Sequence, residues 1–157
     1  MTDTLEDKLI HLFRMARDIH FEDGMESTFS RSLVALIEEH GKPIIQVLET
    51  MIMNGRVFML DAGEALRWIG RMEHPTTRKR RRHLLERCLE HRSLAVVDGA
   101  LLGIASMDDP KSIPAVYKAL DRFAWYPVIC EKITQVLDQL RETQGHREND
   151  REEDIAP

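Results

Sequence analysis

Ala65-Leu66-Arg67-Trp68-Ile69-Gly70-Arg71-Met72-Glu73-His74-Pro75 and Ala100-Leu101-Leu102-Gly103-Ile104-Ala105-Ser106-Met107-Asp108-Asp109-Pro110 align at an offset of 35 residues. Alanine, leucine, isoleucine, methionine and proline coincide, and Gly70 falls against the small Ala105. Each stretch reads as a helix whose apolar stripe ends in a short turn. A new helix then starts at a proline, whose missing N–H costs nothing in a first turn. Two helices in 35 residues make one unit of a helical repeat.

Outward from this pair, the chain divides into about eight helical segments, each ended by glycine, proline or a polar cluster. Leu5, Leu9, Leu12, Phe13 and Ala16 form the first stripe. Thr28 or Ser30 is the expected cap of a second helix that runs through Leu33, Leu36 and Ile37 to Gly41. Pro43 opens a third, ending at Asn54-Gly55, and a fourth spans about 56–71. Pro75 opens a fifth, Ser93 caps a sixth, Pro110 or Pro114 opens a seventh, and Pro127 opens an eighth ending near Glu142. No strand is expected. The fold class is all-α, a short solenoid of about four antiparallel hairpins. Residues 1–142 are expected to form one domain, with 1–41 capping the hairpins of 42–142. The acidic segment 143–157, almost without large apolar residues, is expected to be a disordered tail.

Composition supports one globular domain. The chain has 157 residues, of which 43% are apolar and 31% charged, enough to bury a core. Cys88 and Cys130 have no paired spacing and read as small buried hydrophobes of a reducing compartment. The acidic start, Met1-Thr2-Asp3-Thr4-Leu5-Glu6-Asp7, lacks the basic and apolar regions of an export signal. The most apolar stretch, 93–107, falls short of the roughly 20 residues that cross a bilayer. A cytoplasmic protein without a membrane partner is therefore expected.

The stretch Val97-Asp98-Gly99-Ala100-Leu101-Leu102-Gly103-Ile104-Ala105-Ser106-Met107-Asp108-Asp109-Pro110-Lys111-Ser112-Ile113-Pro114-Ala115-Val116 resembles a HEAT-type repeat. It is similar to the short bacterial form found also in phycobilin lyases. The small-small-Leu run, the Asp-Pro turn and the following Ile-Pro carry the resemblance, which is good over 93–120 and fair over 56–92. Val97 stands where that family usually has arginine. The resemblance implies a curved stack whose second helices line a concave, partner-binding face.

Two constellations carry candidate function. Arg78-Lys79-Arg80-Arg81-Arg82 is a basic patch on the fifth helix. Because consecutive helical residues lie about 100° apart, the five cations fan around the helix and cannot all meet one partner. Residues 67–92 carry nine cations and three acids, net +6, against a whole-chain charge of −5, which leaves −11 elsewhere. The patch reads as a contact for phosphates or an acidic protein, or else as a face neutralised by acidic neighbours. On the fourth helix Asp61, Glu64, Trp68 and Arg71 share one face. They read as a protein-binding hot spot around an aromatic, or as a face whose Trp68 packs beneath a neighbouring repeat.

Elsewhere structural readings prevail. Asp98 is expected to join repeat units, Trp125-Tyr126 to plug the core, and Gly99-x-x-x-Gly103 to permit close helix packing. No catalytic motif, cofactor fingerprint or metal spacing is found, so no catalytic residue, cofactor or metal is expected. The reading is a non-catalytic protein-binding module, such as a bacterial immunity protein, antitoxin or adaptor. Nucleic-acid binding through 78–82 is the alternative and is not favoured. A chromophore lyase or chaperone is prompted by the family likeness alone, and the oligomeric state is left open.

Overall fold

The computed structural model describes residues 2–155, and the described chain is all-helical. Its helices are α1 (Leu5–Ala16), α2 (Thr28–His40), α3 (Lys42–Met53), α4 (Met59–Arg71), α5 (Arg78–Cys88), α6 (Leu94–Met107), α7 (Ile113–Arg122) and α8 (Pro127–Ile155). Punctuation follows local chemistry. Thr4 caps α1 in a reciprocal box with Asp7, and the resulting hydrogen bonds hold the Asp7 carboxyl below its ordinary pKa. The cap of α2 is Ser27, paired with Ser30, one residue before the expected Thr28. Pro43 and Pro114 sit in the first turns of α3 and α7. Pro75 and Pro110 each begin a single 3-10 turn, Pro75–Thr77 and Pro110–Ser112, ahead of the α-helix proper.

Helices α4 and α6 make the tightest pairing of the molecule, because glycines line both sides. A Cβ built on Gly70 would lie 2.0 Å from the Gly103 carbonyl oxygen, and one on Gly99 would lie 2.3 Å from that of Gly63. Gly63 also faces Ala95, so residue numbers rise together along the two helices and they run parallel. Helix α8 continues the same register. Lys132 Nζ meets Asp98 Oδ1 at 2.7 Å, and Gln139 donates to the Ala105 carbonyl at 2.8 Å. Asp98 thus joins two helices, as read from the sequence, and α4, α6 and α8 lie side by side in one direction. Helix α3 packs against α5.

Helices α1, α2 and α3 pack mutually at the N-terminal end. Phe29 is fully buried there, with Phe13 at 5.4 Å and Phe21 at 5.5 Å between ring centres. The core is continuous from Leu9 to Leu140. Beyond that, where a disordered tail is expected over 143–157, α8 runs on through 143–155 to Ile155 with its side chains at the surface, and 156–157 lie outside the described residues. The packed half of α8 has already met the nucleation cost, so each further residue needs only propagation. Thr143 also donates to Asp108 Oδ1 at 2.8 Å, which ties the start of the extension to α6. No described helix is long and apolar enough to cross a membrane.

Candidate functional site

The basic patch is occupied within the molecule. Arg81 is fully buried, and its Nε donates to Thr77 Oγ1 at 3.0 Å. Its terminal nitrogens donate to the carbonyls of Ile69 (2.8 Å), Met72 (3.0 Å) and His74 (3.0 Å). One guanidinium therefore caps the C-terminus of α4 and fixes the turn into α5. Burial lowers its pKa to about 10, with help from the Arg78 charge, and it stays cationic at neutral pH.

The neighbouring arginines are paired as well. Arg80 and Arg87 both bind Glu49, a buried carboxylate on α3. Burial works to raise the Glu49 pKa, but hydrogen bonds from both arginines, and their charge, hold it below the ordinary value. Arg82 pairs with Glu86 at 2.8 Å, and Arg78 donates to the Met107 carbonyl at 3.2 Å and lies 3.6 Å from Asp109. Lys79 alone of the five is exposed with no ion pair or side-chain hydrogen bond among the described residues. Two acids from outside the region, Glu49 on α3 and Asp109 just before the 3-10 turn, thus offset part of its net +6, while Glu86 pairs within it.

The face of α4 read either as a hot spot or as a packed face is partly covered. Trp68 is buried against α2, donates from Nε1 to Glu64 Oε1 at 2.7 Å, and carries the Arg71 guanidinium 4.7 Å above its ring. Arg71 also donates to the Gly24 carbonyl at 3.1 Å, and Arg67 meets Asp23 at 3.3 Å. The loop 17–27 is thereby clamped over the α4 face that sequence spacing had assigned to a partner. A charged stripe around an aromatic suits an intramolecular lid as well as an interface, and spacing alone does not distinguish them.

Asp61, from the same stripe, lies apart. It is only 5% exposed, its Oδ2 is fully covered, and that oxygen has no hydrogen-bond partner. Burial raises its pKa, and the nearby Arg17 charge only partly opposes this. The residue lines a cavity of about 530 Å³ between the end of α1, the following loop and the start of α4. No family model, curated protein or solved structure matches this chain.

The described surface also carries an apolar row that the sequence reading missed. Leu60, Leu94 and Val128 lie 34 residues apart, in the first turns of α4, α6 and α8, and are 63%, 37% and 56% exposed. The α4–α6 and α6–α8 registers place them at one end of three parallel helices. Phe58 and Trp125 flank the row. Trp125 is 71% exposed and stacks on Tyr126 at 5.3 Å, so the expected core plug at this corner is instead the buried Phe123. With neighbouring axes 8–10 Å apart, the row extends over about 15–20 Å. The signal available in the sequence was the recurrence of a large apolar residue at this spacing, which helical periodicity within one segment does not register.

A buried, unpartnered carboxylate opposes folding whenever it is ionised. A raised folded-state pKa means that the native state holds its proton to higher pH than the unfolded chain does. Wild-type stability from this group is therefore present at low pH and lost as pH rises through the folded pKa. Asp61→Asn is expected to gain about 1–2 kcal/mol at pH 7 and nothing at pH 3.5, where the wild-type carboxyl is itself neutral. Urea midpoints of both proteins at the two pH values measure this, and an equal gain at both would rule out the charge as its cause.

Proposed function

We propose that the chain is a non-catalytic protein-binding module built as a short HEAT-like stack, with α4, α6 and α8 as the second helices of successive hairpins. The parallel order of these helices, the tight glycine packing of α4 on α6, and the 35-residue sequence repeat support the stack. The observation that carries the function is the row Leu60, Leu94 and Val128 with Phe58 and Trp125 beside it. Contiguous exposed apolar side chains in register across several helices suit a partner surface, because leaving them in water gains nothing for the fold. The partner is a protein with a complementary apolar face, and the role is that of an immunity protein, antitoxin or adaptor in a bacterial cytoplasm. Nucleic-acid binding through 78–82 is less well supported, since Arg78, Arg80, Arg81 and Arg82 are engaged within the molecule.

The combined Leu60→Glu, Leu94→Glu, Val128→Glu variant tests this reading. Each acid falls in the first turn of a helix, where the macrodipole favours negative charge, so the thermal midpoint should equal or exceed that of wild type. Affinity capture from the native host with wild-type chain should recover a protein that the variant loses. Recovery of the same protein by a folded variant, or of none by wild type, overturns the proposal. Trp68→Ala is a poor substitute, because Trp68 is buried and its removal damages packing.

A further inference from the structure

The cavity at Asp61 has features that an apolar docking surface does not require. Its walls include Ile19, Phe21, Phe58 and Leu60, and its one carboxylate is Asp61. That carboxylate is nine-tenths buried, and no side-chain hydrogen bond reaches it among the described residues. Buried carboxylates are ordinarily paired or richly hydrogen-bonded, because desolvation without compensation costs several times a surface charge. The nearest cation, Arg17, forms no ion pair with it and instead lies over the Phe58 ring, 5.6 Å from its centre. Arg17 and His20 also line the cavity, but a buried acid without an ion-pair partner beside the apolar walls of Phe58 and Leu60 matches a positively charged group on an apolar stem. The stem would lie along Phe58 and Leu60, and the ammonium or guanidinium would supply the counter-charge from the cavity side of the carboxylate, whose Oδ2 is itself fully covered.

We propose that this cavity binds an alkylammonium or alkylguanidinium group. The shared chemistry fits either a lysine or arginine side chain of a bound protein or a free small amine; the cavity shares Phe58 and Leu60 with the apolar row, but its acid, Asp61, is not part of that row.

The probe is n-butylammonium chloride, which is the lysine side chain alone, titrated into full-length ¹⁵N-labelled protein at pH 7. Matched titrations use neutral 1-butanol and the peptide acetyl-Leu-Lys-Leu-amide. Butylammonium should move the backbone amides of Phe21, Phe58, Leu60 and Asp61, and butanol should move them at least tenfold less at equal concentration. Asp61→Asn, isosteric and expected to be the more stable protein, should lose at least tenfold in butylammonium affinity. Arg17→Ala removes a competing positive charge and should gain several-fold. If the peptide binds more tightly than butylammonium, and Leu94→Glu with Val128→Glu weakens the peptide alone, the cation comes from a partner protein. The reverse order assigns a free amine. Equal shifts with butanol, undiminished binding by folded Asp61→Asn, or shifts confined to other acidic surface overturns the inference, and none of these outcomes bears on capture of a partner by the apolar row.

Discussion

Gly70→Ala is expected to destabilise the protein by about 2–4 kcal/mol, although alanine is the better helix former by about 1 kcal/mol. The reversal of sign comes from contact. The new methyl would stand 2.0 Å from the Gly103 carbonyl oxygen and 2.3 Å from its Cα, and both are backbone atoms that cannot rotate aside. Relief requires α4 and α6 to separate, which opens the core between Leu66, Ile69, Val97 and Ile104. Gly103→Ala should behave alike, since its Cβ would meet the Leu66 carbonyl oxygen at 2.5 Å. Gly145→Ala is the control. That position lies in the exposed part of α8 with nothing within 4 Å, so the substitution should stabilise the protein by about 0.5–1 kcal/mol through propensity. Denaturant midpoints at fixed slope compare all three. A Gly70→Ala protein as stable as Gly145→Ala would refute the close α4–α6 approach.

Arg81→Met should cost about 3–5 kcal/mol, in line with breaking other buried charge networks. Methionine fills much the same volume, so the loss is chiefly polar. The carbonyls of Ile69 and Met72 would lose their donor in the interior, at the end of α4 where partial negative charge accumulates, while that of His74 would keep the Thr77 N–H and Oγ1. Arg81→Lys should recover only part of the loss, because one ammonium cannot span three carbonyls and Thr77 Oγ1 as a planar fork does. Equilibrium unfolding gives the totals. Hydrogen exchange should show faster opening of the last turn of α4 and of Thr77 in Arg81→Lys than in wild type. A Met variant within 1 kcal/mol of wild type, in urea, would show that the guanidinium merely occupies space.

These two positions show how far the residues could be read. Gly99 and Gly103 announced close packing by their four-residue spacing, and α6 does receive α4 along that face. Gly63 and Gly70, seven apart, gave the matching half of the contact, yet their partner lies some 35 residues on and no local rule links them. The basic run was legible as a run. That Arg81 was its buried member could be suspected from Leu85 and Cys88 on the same face, but its carbonyl partners belong to α4 and the following turn. Trp68, Glu64 and Arg71 shared a helix face as expected, whereas the loop and α2 that cover this face enter from more than 25 residues upstream.

Helix number, the proline starts, the glycine stops, the 35-residue repeat and the net charge follow from the sequence, because each depends on neighbours within one or two turns. Packing alone decided which charges are neutralised, which aromatic is buried, that Asp61 lacks a donor, and that Leu60, Leu94 and Val128 stand in one row. Those properties depend on the register between helices. In this chain that register is set where four glycines let two backbones touch.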